Sequence, residues 1–448
     1  MKRLYKHFPI LIQNVIITLV NNYKYYQKFG VIPFFKPLKK VVKDIETSSF
    51  NDRQTLKRIN NLINEAVQNV PYYSENKSAY KPLNKITDLQ NLPVLKKSTL
   101  KQENSKFISK KSNLFNSYKF KTSGSTGTPL KGAISNKELQ TRFKIFLMSL
   151  KREGIDYSLP LARFPGADVA GSDKVYRCDY LNKHFMFSIY HLTSTKILDY
   201  YKALSDNKIQ ILEGYPSTIY SLVKLLKLYG LKLDSVKHVL TTAEKLLDYQ
   251  KKEIEAYFKV QIFDFYGSSE GSAYMYSTKE GYYLNSNKIA YFETVNDNFE
   301  PVNNNEQGRI LVTSFTSSFT PLIRYDIGDI ATVIDDKNEI IKVSELLGRQ
   351  EDIYISPTGI AFGRFSLVLK YLPSDVQESQ LILKQRSNSA KVKYVSEKMI
   401  DQKRFETFQN KINTMLRMEF EIEYIHLNKF EKESRGKLSA VKIIENEN

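Results

Sequence analysis

The sequence predicts an α/β protein in two parts: a large multi-sheet unit over residues 1–348 and a small, mobile α+β unit over residues 349–448. Three observations carry that expectation. From about residue 205 to 345, short runs rich in Val, Ile, Phe and Tyr alternate with helix-forming stretches, the order expected of a sheet with helices on its faces. Beyond the polar turn at 348–352 the pattern restarts as two strands, an amphipathic helix and a strand. A chain of 448 residues that is 42% hydrophobic is long enough for two or three domains with separate cores.

Taken in order, residues 1–30 hold an amphipathic helical segment. Phe8, Leu11, Ile12, Val15, Ile16 and Leu19 fall on one helical face, with Asn14, Thr18, Asn21 and Asn22 opposite. The apolar run from Phe8 to Val20 is 13 residues, interrupted by Gln13, Asn14 and Thr18; a spanning helix needs about 20. The segment is expected to pack on the protein's own body, with shallow contact to a membrane surface as the alternative. The rest of the first hundred residues reads as mostly helical, broken at NVPYYSENKSAYKPL.

Glycine is nearly absent before Gly124, so KTSGSTGTPLKG (121–132) stands out as a loop; the helix after it is expected to take Asn136 as N-cap. KHVLTTAE, VQIFDFYG, GRILVTSF and LIRYDIGDIATVID read as strands, and LDYQKKEIEAYF between the first two as a helix. In the small unit, SQLILKQ, KVKYVSE and FEIEYIHL read as strands, and Phe405, Phe408, Ile412, Met415 and Leu416 form one face of a helix.

The net charge of +19 attracts anions of any kind. Its 67 Lys and Arg are spread along the chain, with no recognition helix, zinc finger or aromatic-basic strand pair, so nucleic acid is not an expected partner. The single cysteine, Cys178, forbids an internal disulfide and a multi-cysteine metal cluster and fits a cytoplasmic setting. With no histidine near it in sequence, Cys178 reads as a packed thiol rather than a nucleophile.

Five stretches could carry chemistry, and each has a plainer account. Glycines two residues apart let backbone N–H groups face inward, and Ser123, Ser125, Thr126 and Thr128 add hydroxyls; the loop can wrap a polyphosphate or be an ordinary surface loop. In FYGSSEG (265–271) an aromatic at a strand end offers a face to a purine and Glu270 a hard ligand to Mg²⁺, or the stretch is a turn with a solvated Glu270. Within IRYDIGDIA (323–331), Asp329 can accept from both hydroxyls of a ribose, or Gly328-Asp329 is a hairpin turn. LLGRQED (346–352) offers Arg349 to a ribose or phosphate, or is a charged linker. SRGKLSAVK (434–442) offers one lysine, and lone lysines are usually surface residues.

In this order the five resemble the motifs of the adenylate-forming enzymes, the superfamily of acyl-CoA synthetases, peptide-synthetase adenylation domains and luciferases. [ST]-S-G-[ST]-T-G-x-P, Y-G-x-[ST]-E, Y-x-x-G-D, G-R-x-[DE]-D and a late G-K are matched at 122–129, 266–270, 325–329, 348–352 and 436–437. The finer resemblance is to the phenylacetate-CoA ligase-like branch and its capsular polysaccharide biosynthesis (CapK-like) proteins. It rests on the Leu130 spacer before Lys131, FPILIQN, VPYY (70–73), LPVLKKS (92–98), LEGYPS (212–217) and Ala243-Glu244.

That resemblance implies a ligase that joins a carboxylic acid to the α-phosphate of ATP, releases pyrophosphate, and passes the acyl group to CoA or to another thiol, amine or hydroxyl, such as that of a sugar. Ser123, Gly124, Ser125, Thr126 and Gly127 would hold phosphates, and Glu270 would hold Mg²⁺. Tyr266 and Gly267 would face adenine opposite Ala243 and Glu244, while Asp329 and Arg349 would hold the ribose. Lys437, with Thr126 and Glu270, would act in catalysis, Glu351 would be the hinge, and Tyr215, Pro216 and Ser217 would line the acid pocket. ATP, Mg²⁺ and CoA are the expected small molecules. The competing expectation is a nucleotide-binding, non-catalytic partner of a glycan-assembly machine at the inner membrane face. The acid, the acceptor and the oligomeric state are left open.

Overall fold

The structure is a computed structural model that describes residues 8–31, 37–43, 54–113, 115–121, 130–165, 174–189, 191–268, 270–335, 342–349, 354–357, 361–362, 365, 368–416, 418–430 and 439–444. Its centre is a 12-stranded mixed sheet. Five strands run parallel in the spatial order Ile262–Gly267, His238–Thr242, Ile211–Gly214, Leu161–Arg163 and His184–Phe187. Successive side chains on each strand point to opposite faces. Accordingly Leu161, Ile211, Leu240 and Phe263 join one buried cluster, beneath the helix Asn136–Arg152. Ala162, Leu212, Val239 and Ile262 join another, with the helices Ile197–Asp206, Pro216–Leu228 and Asp248–Phe258. Burial on both faces explains why these strands read as near-continuous apolar runs.

On its other edge, Ile262–Gly267 pairs antiparallel with Tyr274–Ser277. From there the sheet continues antiparallel through Tyr283–Asn285, Lys342–Arg349, Tyr325–Asp335, Gln307–Ser314 and Ala290–Val295. The four strands expected between 237 and 335 are all present, as is the helix between the first two. Strand structure also begins well before residue 205, at Ser117–Lys121.

The C-terminal residues form a separate four-stranded sheet in the order Glu421–Leu427, Ser389–Val395, Glu378–Lys384, Val441–Ile444. The helix Glu406–Leu416 buries Phe408, Ile412 and Leu416. The strand Val441–Ile444 falls where the sequence pattern predicts only a turn; its parallel pairing with Glu378–Lys384 supplies the partner that local pattern cannot. Leu247 of the large sheet's helical layer is buried in this unit's core, and Lys224 donates to the Ser374 carbonyl at 2.7 Å.

Two expectations are corrected. The N-cap of Asn136–Arg152 is Ser135, whose hydroxyl accepts from the Glu138 N–H while the Glu138 carboxylate takes the Ser135 N–H, a reciprocal capping box. Asn136 instead donates to the Phe115 carbonyl at 3.1 Å.

The second concerns the first helix, Ile10–Phe29, which ends on Gly30 in the left-handed region at φ 71°. It does pack on the body, with Tyr25 buried in the main core and Phe29 against Phe143, but its N-terminal half packs through its polar side. Gln13 and Asn14 are buried, whereas Leu11, Val15 and Leu19 are exposed. The cause lies in what the helix covers: Tyr176–Asp179, the last strand of the large sheet, with unpaired backbone groups along its edge. Asn14 Oδ1 accepts the Cys178 N–H at 3.1 Å, Asn14 Nδ2 donates to the Tyr180 hydroxyl at 2.8 Å, and Gln13 Oε1 accepts from Arg177 Nε at 2.6 Å. Burial, helped by Asp179, pushes the Cys178 thiol up to about 11, so it stays protonated at neutral pH.

Asn14→Leu should therefore destabilise the protein by about 1–3 kcal/mol although it adds apolar surface, whereas Leu11→Gln should change stability by no more than about 0.5 kcal/mol. Urea unfolding of the two variants measures the contrast; the opposite ranking would mean that the apolar face is the packed one.

Candidate active site

The parallel strands deliver their C-terminal ends to one edge, where open α/β sheets usually bind ligands. Thr242 is paired with Phe265, so Ala243, a bend just past the end of its strand, follows at the level where Tyr266 continues the neighbouring one. Ala243 has φ 69°, rare for a residue with a Cβ. Ala243 and Gly267 are exposed, Tyr266 and Glu244 half-buried.

The Tyr266 hydroxyl donates to the Asp329 carboxylate in a short hydrogen bond, across 63 residues of sequence. Asp329 reaches that position through a bulge. Arg309 pairs with Ile330 and Leu311 with Asp326, so extra residues around Gly328 (φ 81°) are accommodated opposite one residue of the neighbouring strand. A strand bulge, not a hairpin turn, thus presents Asp329. On its other side Asp329 pairs with Arg349, which puts the two residues directly across a ladder; the Arg349 side chain lies outside the described set.

Glu270 is 4% exposed, which removes the solvated-turn account. Its Oε1 lies 3.6 Å from Lys97 Nζ and accepts from the Tyr325 hydroxyl at 3.2 Å. Lys97 belongs to LPVLKKS, which is fastened to the sheet by the Leu95–Tyr325 bridge and by Arg324, whose guanidinium donates to the Gln90 and Leu92 carbonyls at 2.8 Å. The turn beside Glu270 is just as constrained. Gly271 sits at φ 66°, and a Cβ there would lie 1.7 Å from the Arg142 guanidinium, which is itself held by Thr316. Burial lowers Arg142 to about 10, with Glu138 opposing.

Among the described residues no group of three or more His, Cys, Asp or Glu could hold a metal. Glu270 alone suits a Mg²⁺ ion that takes its other ligands from phosphates and water, the usual arrangement for that ion.

Of the acid-pocket residues, Tyr215 packs partly buried against the core, Pro216 opens the following helix, and the Ser217 N–H donates to Glu244 at 3.3 Å. Glu244 and Ser217, assigned to different ligands, are thereby neighbours. Just before them, Glu213 takes the Arg163 guanidinium at 2.9 Å and the Tyr157 hydroxyl at 2.6 Å, at register-matched ends of adjacent strands.

Residues 122–129, Glu351 and Lys437 lie outside the described residues. The flanks of the loop do not: Ser117–Lys121 and Lys131–Ser135 pair antiparallel, with Lys121 opposite Lys131.

No protein-family model matches the chain. It is similar to protein CapK of Staphylococcus aureus, 23% identical over 395 residues that make up 85% of each chain. It is also similar to indoleacetate–lysine synthetase of Pseudomonas savastanoi, 34% identical over 137 residues, 30% of this chain and 32% of that one. A crystal structure of 2-hydroxyisobutyryl-CoA ligase in the postadenylation state, in complex with R3-HIB-AMP, superposes with a TM-score of 0.68 at 16% identity, covering 88% of this chain and 90% of that one. The chain has the fold of the adenylate-forming ligases. In the thioesterification state the same ligase superposes with a TM-score of 0.56.

Sequence reading passed over Lys97, Tyr325, Arg142 and Asp264. Lys97 and Tyr325 were within reach, inside quoted motifs; Arg142 and Asp264 needed the sheet register. Asp264 lies on the same strand as Tyr266, two residues before it, and accepts from the Thr241 and Tyr283 hydroxyls, each at 2.6 Å. Burial raises it to about 6, and these hydrogen bonds offset part of the shift. A carboxyl raised on folding adds stability that is full below its unfolded value near 3.8 and is lost as pH rises through about 6. The stability difference between the protein and Asp264→Asn should thus be larger at pH 4.5 than at pH 7.5, by about 1–3 kcal/mol. Urea titrations at the two pH values measure it, and a difference independent of pH would mean that Asp264 is not shifted.

Proposed function

We propose that this protein is an ATP-dependent ligase that activates a carboxylic acid as its acyl-adenylate. A carboxylate oxygen attacks the α-phosphorus, the bond from that phosphorus to the α,β-bridging oxygen breaks, and pyrophosphate leaves. A nucleophile then attacks the acyl carbon and AMP departs. The observation that carries the reading is the bond between Tyr266 and Asp329, with Ala243 just past the end of the next strand and Arg349 across the ladder. Four residues assigned to adenosine from separate motifs converge at one sheet edge.

In this reading Tyr266, its ring orientation set by Asp329, offers a face to adenine, and Ala243 closes the opposite side without filling it. Asp329 and Arg349 take the ribose hydroxyls. Ser123, Gly124, Ser125, Thr126 and Gly127 hold the β- and γ-phosphates. Glu270 ligates the Mg²⁺ carried by ATP, which lowers the repulsion between two anionic reactants. Lys437 enters from the small unit, residues 349–448, which pivots about Glu351; Leu247 and Lys224 form the seat on which that unit docks.

CoA is the acceptor favoured by the likeness to a CoA ligase, and an amine by the likeness to a synthetase that names lysine. A place in surface-polysaccharide biosynthesis rests on the CapK likeness. Use of ATP and CoA would fit a cytoplasmic setting.

Pyrophosphate exchange into ATP, screened over aromatic, aliphatic, amino and sugar acids, should find at least one active acid. With that acid, Lys437→Ala and Asp329→Ala should each cut exchange by about 100-fold or more, while Asp329→Ala alone should also weaken ATP binding. ATP binding without exchange for any acid would refute the ligase reading. A second expectation concerns Glu270: Lys97→Ala removes the half-exposed cationic partner of this buried carboxylate, so the variant's loss of thermal stability should shrink when MgATP is added. An equal loss with and without MgATP would place the metal elsewhere.

A further inference from the structure

We propose that the exposed face of the first helix, Phe8 through Tyr26, docks on the surface of an anionic phospholipid bilayer, independently of the ligase reading. Of the 18 large apolar or aromatic side chains exposed among the described residues, eight lie on this one segment: Phe8, Leu11, Ile12, Val15, Leu19, Val20, Tyr23 and Tyr26. Leu11 is 68% exposed, Leu19 and Tyr23 64% each. Singly scattered apolar residues need no explanation; a contiguous stripe does.

The stripe cannot be turned inward at small cost. Asn14, Gln13 and Thr18 hold the edge strand and Arg177 through the bonds already described and through the Tyr180 N–H to Thr18 Oγ1 contact at 3.4 Å. Rolling the helix would bury leucines and strip a fully buried guanidinium and edge-strand amides of partners, each costing more than a leucine returns. The same contacts bring Tyr180 and Leu181, 54% and 51% exposed, beside the helix and extend the apolar surface.

Charge selects the occupant. Residues 1–43 contain nine Lys and Arg and no Asp or Glu; Lys28 is turned inward over the Phe143 ring, and the other eight are left to carry the positive charge. Two copies meeting through this face would bring like charges together, which disfavours a dimer; an anionic lipid surface attracts the same charges, at roughly 1 kcal/mol for each one near it. The helix is 20 residues, and no described helix is long and apolar enough to cross a membrane, so it would lie in the interface plane. Tyr23 and Tyr26 suit that depth, with apolar rings and polar tips.

Sedimentation of the full chain with vesicles of phosphatidylglycerol and phosphatidylcholine in equal parts tests this. The protein should pellet with these vesicles and much less with phosphatidylcholine alone. Leu11→Gln/Val15→Gln/Leu19→Gln should lower binding about tenfold or more at an unchanged unfolding midpoint. The sequence has no tryptophan, so Leu19→Trp is a single reporter whose emission should shift to the blue with anionic vesicles, while Leu228→Trp, exposed elsewhere, should not shift. The proposal falls if the protein stays in the supernatant, if the triple variant binds as the parent does, if Leu19→Trp does not shift, or if light scattering shows a dimer that the triple variant dissolves.

Discussion

Pairing of the strand Ile262–Gly267 with a parallel neighbour on one edge and an antiparallel neighbour on the other is the constraint around which the candidate site is built. The parallel pairing aligns the strand's end with that of His238–Thr242 and so sets Ala243 at the level of Tyr266. The antiparallel pairing brings Tyr274–Ser277 back along it, so residues 268–273 must turn sharply, and Glu270 and Gly271 lie in that turn. From the far side of the antiparallel half come Tyr325 and Asp329, one reaching Glu270 and the other Tyr266. A strand that slipped by one residue would reverse every side chain and separate all of these pairs.

Buried charge holds this arrangement at a second level. Arg324, 2% exposed and at φ 46°, is paired with Glu293 at 2.9 Å and donates to two carbonyls of the segment that ends in Lys97. Burial raises Glu293 and Arg324 opposes the shift, so the pair is compensated rather than strongly stabilising. Its effect is positional: segment 90–97 is held where Lys97 can meet Glu270. A hydrophobic pair of equal volume could fill the space, but it would leave the Gln90 and Leu92 carbonyls without these donors.

Legibility followed the range of the interactions. The strands between 237 and 335 were readable because fully buried strands are apolar on both faces and their ends carry Gly, Asp or small polar residues. Asn136 reads as the cap in place of Ser135 because Ser and Asn are equally good caps, and only the Glu138 contact separates them. The partners of Glu270 were not readable: the carboxylate looks solvated until the fold brings Lys97 and Tyr325 to it. Nor was the inverted seating of the first helix. Periodicity finds an apolar face and assumes it is the packed one; here an edge strand and the buried Arg177 need hydrogen-bonding partners, and the polar face meets that need.

Ala243 shows how local strain can be kept at such a site. A left-handed alanine is disfavoured, and glycine would relieve it. The residues on either side fix the conformation: Thr242 donates through its hydroxyl to the Phe265 carbonyl at 2.8 Å, and Glu244 accepts from the Ser217 N–H at the start of a helix in another layer. The chain must change direction within one residue to satisfy both. Alanine allows the turn while restricting the unfolded chain more than glycine would, so the strain of the backbone at this position is held by its two anchored neighbours.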